Sequence, residues 1–556
     1  MKLGYSVNIR AWYIIGPVCT RLLERLIGFV ILSSSVPTVS VNGRLITVER
    51  GTPLDVAIKK AGFRGLFRSV KFGRLRDIMD DSYLYPQYKC VYVNGYGLVN
   101  PLSFQVEGDI TVIIDRRASF GSILSGKLPF FGVGFQNSGL IRTGFGWKIM
   151  RRMILSSANL PKYAGEKVVR PESGRLTTNI LIVGGGPAGM GLAQALLEKN
   201  LDFLLVDPNP TLGGRIRYAL NFPQLRRALN FDAEGLAKII ATRRIVGLFT
   251  GLYEEGVGLV VGENRILRVE FSRLVYANGS KCPPPLFAGN DSPGVISVDY
   301  ALRLRHFGVL MSPVVFYVED EWGEMVYRAL KDDLLPVLVS PLNLEDKVAS
   351  HIKQVRLSSK ELVVTLDNGS RVKAKYVVYS TLRQPNLELP AQAGFAYSFS
   401  AQRGKIVCTE AKGEPSSNAP VLLAGSVTGL YELNDAFRHG RAIGYTLSGD
   451  MDSALKLTPP PTVVHPSTTG VVHQDAFVCF CEDVRVRDFV LAQHKKLRGP
   501  EKTKRFTGWG TGVCQGKLCI ANGMRILGDR PYTQRLPTQP TPLAWLASLG
   551  DETSEL

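Results

Sequence analysis

Histidine and cysteine are scarce in this sequence, with six His and eight Cys among 556 residues. The sequence has no zinc-protease or hydrolase signature and no defensible acid/base pair, so we predict that the chain carries no catalytic residue. It lacks a Lys/Arg stripe interleaved with aromatic residues, and this absence argues against a nucleic-acid partner. An apolar run at residues 26–36 is shorter than the roughly 20 residues that cross a bilayer, so we predict no transmembrane segment.

Negative charge is also in short supply. The 48 Asp and Glu residues are outnumbered by 67 Lys and Arg residues, which leaves a formal net charge of +19. Such a field attracts anionic partners, among them phosphate-bearing cofactors, acidic membranes and acidic proteins. A hydrophobic share of 45% and a charged share of 21% are typical of a globular protein. The length predicts roughly three or four domains.

The N-terminal text predicts a small α+β unit over residues 38–116. Apolar and polar residues alternate on both sides of Asn42-Gly43, which predicts a β-hairpin, and a helical period follows. With the later strands "CVYVNGYGLVNP" and "DITVIID", this order resembles the β-grasp domain of plant-type ferredoxins, in the version fused to some amine oxidoreductases. The ferredoxin spacing C-x4-C-x2-C is missing, so we predict a scaffold without a cluster. The flanking segments are predicted to be an N-terminal extension and a connector, at residues 1–37 and 117–175.

The clearest fold signal is "NILIVGGGPAGMGLAQALLEKNLDFLLVD", which reads as strand, glycine turn, helix and a second strand ending in an acid. This βαβ unit opens a dinucleotide-binding domain predicted over residues 176–470. The glycines allow the tight turn, the approach of a pyrophosphate and close helix packing, while the acid accepts hydrogen bonds from a ribose and repels a 2'-phosphate. We therefore expect FAD, NAD or a simple adenine nucleotide such as ATP rather than NADP. The predicted ligand-binding residues here are Gly184, Gly186, Pro187, Ala188, Gly189 and Asp207.

Three sequence segments further along the chain resemble those of flavoprotein reductases that have two dinucleotide-binding domains. "LGGR" follows closely after the acid, "RLVYANGS" is similar to a strand that runs into an Ala-Thr-Gly turn, and "VLLAGSVTGL" is similar to a strand that ends in Gly-Asp. In this chain a serine replaces that aspartate, which weakens the case for ordinary FAD binding. The resemblance implies further cofactor-binding residues at Gly214, Arg215, Ala277, Gly425 and Ser426.

The place of a second nucleotide fingerprint is occupied by "PVVFYVEDEWGEMVYRAL" at residues 313–330, within an insertion predicted at about 285–385. A strand and a helix are predicted there, but Glu319, Asp320 and Glu321 replace the glycines of the turn. Three carboxylates repel a pyrophosphate. We predict that this second site is lost and that the chain is not a self-sufficient NAD(P)H reductase.

Four of the eight cysteines form the patterns C-x-C and C-x4-C, as Cys479, Cys481, Cys514 and Cys519. A C-x-C pair is tight for one structural zinc, whereas an iron-sulfur cluster takes two cysteines at each iron; zinc and disulfides stay as alternatives. An amphipathic helix and a glycine-rich loop between the pairs favour 2Fe-2S. The arrangement resembles the helical 2Fe-2S domain of bacterioferritin-associated ferredoxin, and we predict such a domain over residues 471–530, with a tail at 531–556.

The segment "PEKTKRFTGWGTGVCQGK" resembles the TKRxT...QGK signature of the large subunit of heterotetrameric sarcosine oxidase. In that family the region helps to hold an FMN shared with the partner subunit, and cationic and hydroxyl side chains suit a phosphate dianion. The alternative is a solvated basic surface. The residues that the resemblance implies are Lys504, Arg505, Thr507, Gln515 and Lys517.

Over nearly the whole chain, the order of parts is similar to the α subunits of heteromeric amine and amino-acid dehydrogenases: dye-linked L-proline dehydrogenase, hydrogen cyanide synthase and heterotetrameric sarcosine oxidase. The fold class implied is α/β, a Rossmann-like two-dinucleotide-domain flavoprotein with an N-terminal β-grasp domain and a C-terminal helical iron-sulfur domain. The resemblance implies a partner FAD-containing β subunit that oxidises the amine, with small additional subunits in some complexes.

In such a complex electrons pass through FMN and the 2Fe-2S cluster to an anionic acceptor. We expect a cytoplasmic protein, with peripheral membrane association as a variant. Two alternatives remain open at this point: a free-standing NADH-dependent flavoprotein reductase, and a zinc-stapled binding scaffold with a vestigial nucleotide site.

Overall fold

The computed structural model describes most of the chain from Val36 onward, and the predicted extension at residues 1–37 and the predicted connector lie almost entirely outside the described residues. The described residues are 36–69, 72–82, 91–114, 148, 171–254, 256–262, 265–342, 347–348, 350–359, 361–400, 405–409, 421–459, 472–528, 538, 541 and 543–550. No helix among these residues is both long and apolar enough to cross a bilayer.

An N-terminal unit forms a five-stranded mixed sheet in the order β2-β1-β9-β6-β7, and two short strand pairs, β3-β8 and β4-β5, flank it. The predicted hairpin is present: Asn42 and Gly43 both have positive φ, which a tight two-residue turn requires. Its elements are β1 (Thr38–Val41), β2 (Arg44–Thr47), β3 (Thr52–Pro53), α1 (Leu54–Lys60), β4 (Phe67–Arg68), β5 (Leu75–Arg76), β6 (Val91–Val93), β7 (Gly97–Val99), β8 (Gln105–Val106) and β9 (Ile110–Ile113).

A central unit carries the predicted βαβ text. Its sheet runs β12-β11-β10-β15-β14-β13; the pairs from β12 to β15 are parallel, and a later strand, β28, also pairs with β15. The apolar end of β10 is buried, as expected for a strand inside a parallel sheet. The elements are β10 (Glu172–Val183), α2 (Pro187–Glu198), β11 (Leu204–Asp207), α3 (Pro223–Arg227), α4 (Ala233–Ile240), β12 (Arg244–Val246), β13 (Leu248–Glu254), β14 (Val257–Val261) and β15 (Arg265–Tyr276).

An inserted unit has its own parallel sheet, β17-β24-β18-β19-β20, beside the antiparallel meander β21-β22-β23. The strand and helix predicted within residues 313–330 are confirmed as β18 and α6. The elements are β16 (Ser280–Lys281), β17 (Val295–Ser297), α5 (Val298–His306), β18 (Val314–Val318), α6 (Glu321–Leu334), β19 (Val337–Val339), β20 (Lys347–Val348), β21 (Ile352–Ser358), β22 (Glu361–Leu366), β23 (Arg371–Ala374), β24 (Tyr376–Ser380), β25 (Gln384–Pro385) and α7 (Glu388–Gln392).

The chain then returns to the central sheet and ends in a small C-terminal unit. The returning elements are β26 (Ala396–Ser400), β27 (Lys405–Thr409), β28 (Val421–Leu423), α8 (Leu433–Ser448) and α9 (Met451–Leu457). Helix α8 packs closely on α2, because a Cβ added at Gly440 would lie 1.9 Å from the Ala188 carbonyl oxygen. The C-terminal elements are β29 (Phe477–Cys479), β30 (Val484–Arg485), α10 (Val486–His494), α11 (Pro500–Thr507), α12 (Ile520–Leu527) and α13 (Leu543–Ala547).

Buried arginines join the N-terminal unit to the others. Arg76 donates to Asp483 in the C-terminal unit at 2.6 Å and to Asp291 in the inserted unit at 3.3 Å. Arg303 of α5 pairs with Asp55 of α1 at 2.6 Å, and both side chains are fully buried. Buried charges are tolerated only when they are paired in this way, so these contacts fix the N-terminal unit against the body of the protein.

Candidate functional site

The glycine turn between β10 and α2 has the geometry of a dinucleotide-binding loop. Gly184 has φ of 114°, and a Cβ there would lie 2.3 Å from the carbonyl oxygen of Ala277. A Cβ at Gly189 would lie 1.9 Å from the Gly184 carbonyl oxygen, so only glycine permits this helix-to-turn contact. Gly186 differs, because its added Cβ meets nothing closer than 3.9 Å and faces the cavity described below. Pro187 begins α2, whose N-terminal N–H groups point toward the same space.

The acid at the end of β11 is held against the turn. Asp207 is buried, and its Oδ2 accepts from the Gly185 backbone N–H at 2.7 Å while its Oδ1 accepts from the Asn209 backbone N–H at 2.8 Å. The Asn209 side-chain N–H also donates to Oδ1, at 2.7 Å. A carboxylate has about four acceptor positions, so about one remains for a ribose hydroxyl. This geometry fits the predicted role at an adenosine ribose.

The "LGGR" segment approaches the glycine turn from the other side. Gly214 has φ of 55°, and a Cβ there would lie 3.0 Å from the Cα of Gly186. Arg215 donates to the Tyr431 carbonyl, and burial together with the nearby Arg383 lowers its pKa to about 9. Arg215 also lines the cavity beside the turn, where its charge can meet phosphate oxygens.

Ala277, which follows β15, and Gly425 and Ser426, which come shortly after β28, also lie beside the glycine turn. The Ala277 N–H donates to the Val183 carbonyl at 2.8 Å, which fixes the end of β15 beside the turn. Ser426 lines the cavity, whereas Gly425 packs against α2, since its added Cβ would lie 2.3 Å from the Ala188 Cβ. The sheet therefore brings these segments together around one space.

That space is a cavity of about 200 Å³ at the carboxyl end of the parallel strands. This is the ordinary ligand position in open α/β sheets. The predicted residues that line it are Gly184, Gly186, Pro187, Ala188, Asp207, Gly214, Arg215, Ala277, Ser426 and Lys517. Among the other predicted cofactor residues, Gly189 and Gly425 serve close packing instead, and the cavity lining includes none of Lys504, Arg505, Thr507 and Gln515.

Several cavity residues have no signal in the local sequence. Asp80 and Asp81 of the N-terminal unit form part of the wall, and Arg217 pairs with Asp81 at 2.6 Å. Burial and the neighbouring carboxylates of Asp81 and Asp299 raise the pKa of Asp80 to about 7. Lys281 and Glu388 of the inserted unit add a buried ion pair to the wall. No local motif contains these residues, because only the packing of the units brings them together.

The acids at the position of a second nucleotide fingerprint lie between β18 and α6, and the loss of a site there stays a prediction. Asp320 caps α6: its carboxylate accepts from the Gly323 N–H at 2.9 Å and from the Ser380 hydroxyl at 2.5 Å. Glu319 is buried and accepts from the Tyr317 hydroxyl at 2.7 Å. A carboxylate thus takes the helix N-terminal donors that a phosphate would need.

The four clustered cysteines come together as two pairs. Cys479 ends β29 and Cys519 immediately precedes α12. Burial and the neighbouring Cys479 thiol raise the pKa of Cys519, and the neighbouring Cys514 thiol and burial raise the pKa of Cys481, so the thiols lie close together in two pairs. Each pair therefore combines one cysteine of C-x-C with one of C-x4-C. All four are free thiols. In the described part of the chain, no three or more His, Cys, Asp or Glu side chains converge tightly enough to hold a single metal ion.

The surroundings of the pairs favour thiolate at one sulfur. The neighbouring Cys481 thiol, the backbone N–H of Leu518, the Lys517 ammonium and the backbone N–H of Gly516 lower the pKa of Cys514 to about 6. The Cys514 thiol and burial raise the pKa of Cys481. Glycine-rich backbone lies against the pairs, since a Cβ at Gly512 would lie 2.2 Å from the Cys481 Cβ. The loop can supply the N–H donors that cluster sulfurs accept.

The residues of the TKRxT...QGK signature are spread over two faces. Thr507 is buried and its hydroxyl donates to the Thr503 carbonyl at 2.8 Å, so it serves the end of α11. Arg505 is exposed, and Lys504 lies 3.8 Å from Glu501. Their role at FMN stays a prediction.

The other two signature residues lie in the C-x4-C loop. Gln515 is half-buried with φ of 51°. Lys517 is buried, and it lines the nucleotide cavity rather than the surface. The structure thus places Lys517 apart from the exposed part of the signature.

Two family models match parts of the chain. The Sarcosine oxidase A3 domain matches residues 473–548, and the NAD(P)-binding Rossmann-like domain matches residues 182–233. The first covers the four cysteines and the second covers the glycine turn with its acid.

Curated relatives carry the names of oxidase subunits. The alpha subunit of sarcosine oxidase from Corynebacterium sp. (strain P-1) is 25% identical over 68% of this chain and 46% of its own length. The opine oxidase A subunit of Agrobacterium tumefaciens (strain Ach5) is 23% identical over 67% of this chain and 92% of its own length. The opine oxidase A subunit of Rhizobium meliloti is 28% identical over 67% of this chain and 87% of its own length. The chain thus spans about half the length of the sarcosine oxidase subunits that it matches.

One solved structure shares the fold over most of the chain. L-proline dehydrogenase from P. horikoshii superposes with a TM-score of 0.69 at 18% identity, covering 92% of this chain and 98% of that one. The predicted fold class is confirmed: the chain is α/β, with a Rossmann-like unit, the fold of that flavoprotein and a helical C-terminal region.

Proposed function

We propose that this homologue of the sarcosine oxidase α subunits and opine oxidase A subunits is the electron-transfer subunit of a flavin-dependent amine or amino-acid oxidoreductase that acts on CH–NH donors. A partner flavoprotein with its own FAD would oxidise the amine, of the proline or sarcosine type. This chain would carry the electrons onward to an anionic acceptor. The relatives' names and the shared fold support the class of reaction.

The observation that carries the proposal is the pairing of Cys481 with Cys514 and of Cys479 with Cys519. Two pairs suit a binuclear cluster, which takes two cysteines at each iron. One tetrahedral zinc would need all four sulfurs around a single point. The four cysteines would hold a 2Fe-2S cluster, which supplies one-electron transfer when it is bound.

The cavity at Gly184 would hold an adenine dinucleotide, for which FAD is our first choice and NAD or ATP the alternatives. Asp207 would orient the ribose, and the N-terminus of α2 with Arg215 would hold the phosphates. Gly186 leaves room for them. Ser426 would donate a hydroxyl where related flavoproteins have a carboxylate.

The proposed FMN would lie between this chain and its partner, against Arg505, which is exposed, and the neighbouring Lys504, which is half-buried. Their cationic groups would bind its phosphate. The β subunit would then complete the site, and small additional subunits would complete the complex.

The chain alone would have little amine dehydrogenase activity, because its sequence offers no convincing substrate pocket and no defensible acid/base pair. The capping of α6 by Asp320 also argues against a self-sufficient NADH reductase. The test is to express the chain with and without its partner and to measure dye reduction with proline, sarcosine or NADH. Turnover of the amine only by the complex supports the proposal, and strong turnover of an amine or NADH by the lone chain contradicts it.

A further inference from the structure

A buried lysine of the C-x4-C loop lies between the nucleotide cavity and a candidate cluster ligand. Lys517 is 2% exposed, and it lines the cavity together with Asp207 and Phe249. Its Nζ donates to the Cys514 carbonyl at 3.2 Å and also to the Thr538 carbonyl. One ammonium group thus contacts the cysteine loop and faces the cavity.

The Thr538 carbonyl that Lys517 contacts is linked to the strand that starts beside Asp207. Asp207, the predicted ribose ligand, accepts at its carbonyl from the Gly247 N–H at 3.1 Å, so β13 starts directly beside it. Thr250 on that strand accepts at its carbonyl from the Thr538 hydroxyl at 2.9 Å. A continuous set of hydrogen bonds therefore runs from this strand through Thr538 to Lys517 and the cysteine loop.

Lys517 has no carboxylate partner of its own in the described part of the chain. The negative groups that act on it are Glu388, which is paired with Lys281, and the thiols of Cys514 and Cys481. Among the residues that the structure describes, no carboxylate lies within 4.0 Å of the Lys517 ammonium, and the two carbonyls accept from only two of its three N–H donors. A buried cation of this kind gains from a ligand that offers an acceptor. Adenine does so through its ring nitrogens.

We propose that Lys517 binds the adenosine part of the nucleotide and, through the Cys514 carbonyl, makes the cysteine loop respond to nucleotide occupancy. The inference rests on the proposed function in one respect, that an adenine nucleotide occupies the Gly184 site. A nucleotide that engages Lys517 also fixes the loop around Cys514. Since coupling between sites is reciprocal, the state of the loop changes the nucleotide affinity equally.

The test uses the full chain, freed of bound nucleotide, with ADP as the probe, because FAD and NAD both contain ADP. Calorimetry gives the ADP affinity, and hydrogen-deuterium exchange reports on peptides covering residues 184–190 and 511–521. In the unaltered protein ADP slows exchange in both peptides. Lys517→Gln weakens ADP binding about tenfold or more, since a bond from a charged donor is lost. At saturating ADP the Lys517→Gln variant still shows slowed exchange in the glycine turn, but exchange in the cysteine loop is no longer slowed.

Two further variants make the result specific. Lys502→Gln removes an exposed lysine from α11 and leaves both ADP affinity and loop protection unchanged. Thr538→Val removes only the hydroxyl bond to Thr250. It should therefore weaken the protection of the cysteine loop from exchange and reduce ADP affinity less than Lys517→Gln does. If Lys517→Gln does not fold, Thr538→Val replaces it as the test variant.

Each outcome has a distinct meaning. The inference is overturned if ADP protects the glycine turn but not the cysteine loop in the unaltered protein. It is also overturned if Lys517→Gln and Thr538→Val both behave like Lys502→Gln. In either case the proposed nucleotide site is unaffected. If ADP does not bind the unaltered protein at all, the adenine-nucleotide part of the proposed function fails as well.

Discussion

Replacing Arg76 with methionine removes the buried cation that joins the N-terminal unit to the C-x-C loop. Arg76 is 1% exposed, donates to Asp483 at 2.6 Å, and donates to the carbonyl of Phe480 between the two cysteines. Without it Asp483 still accepts from the Phe72 N–H at 2.9 Å, and Asp291 keeps Arg74 at 2.5 Å. Removing one partner of a buried ion pair costs about 3–5 kcal/mol. Because Arg74 still serves Asp291, we expect the lower end, about 3 kcal/mol.

The assay is urea unfolding followed by tryptophan fluorescence, since Trp509 is buried in the C-terminal unit. The control is Arg305→Met, which breaks the pair between Arg305 and Asp333 at 2.6 Å on the surface. Exposed pairs contribute about 0–1 kcal/mol, so this variant should unfold almost like the unaltered protein. Equal losses for Arg76→Met and Arg305→Met would refute the idea that Arg76 is a buried clamp on the cysteine loop.

Two further predictions concern the nucleotide cavity. Gly186→Ala should change the free energy of unfolding by no more than about 0.5 kcal/mol, because its added Cβ has room, but it should weaken ADP binding at least tenfold. Gly189→Ala should lower the free energy of unfolding by several kcal/mol, because its added Cβ would lie 1.9 Å from a carbonyl oxygen. Equal stability of the two alanine variants would contradict the packing argument. Burial raises the pKa of Asp80 from 3.8 to about 7, so the folded state holds a proton that the unfolded state releases, and stability falls as pH rises between these values. Asp80→Asn should therefore gain stability relative to the unaltered protein by about 1.4 kcal/mol per pH unit across that window, measured by urea unfolding, and a constant difference from pH 4 to 7 would show that Asp80 does not titrate in this way.

The parts of the fold that follow from local sequence are those whose signals lie within a few tens of residues. The turn at Asn42-Gly43 requires two positive φ angles, and asparagine and glycine adopt them readily. The strand, glycine turn and helix around Gly184 form a unit because a side chain at Gly184 or Gly189 would collide with a carbonyl oxygen. The predicted loss of the second nucleotide site also rests on local sequence. An acid at the N-cap position, such as Asp320, competes with a phosphate for the same N–H donors.

The residues that line the candidate site from other units could not be predicted from local sequence. Asp80 and Lys281 reach the cavity through the packing of separate units, and no periodicity or motif carries that information. The family resemblance implies a role for Lys517 at the FMN phosphate, and that role stays a prediction. The burial of its ammonium beside the Cys514 carbonyl and the nucleotide cavity could not be predicted from the sequence. A glutamine with positive φ at position 515 accompanies that placement, and sequence alone did not indicate it.

The central claim is that Cys479, Cys481, Cys514 and Cys519 hold a two-iron electron carrier. The most direct test is iron, zinc and acid-labile sulfide analysis of the purified chain, combined with its visible spectrum before and after reduction. We predict about two irons and two sulfides per chain, a brown protein whose absorption bleaches on reduction, and loss of the iron in Cys514→Ser. Stoichiometric zinc without iron, in a protein whose visible spectrum does not change on reduction, would contradict the account.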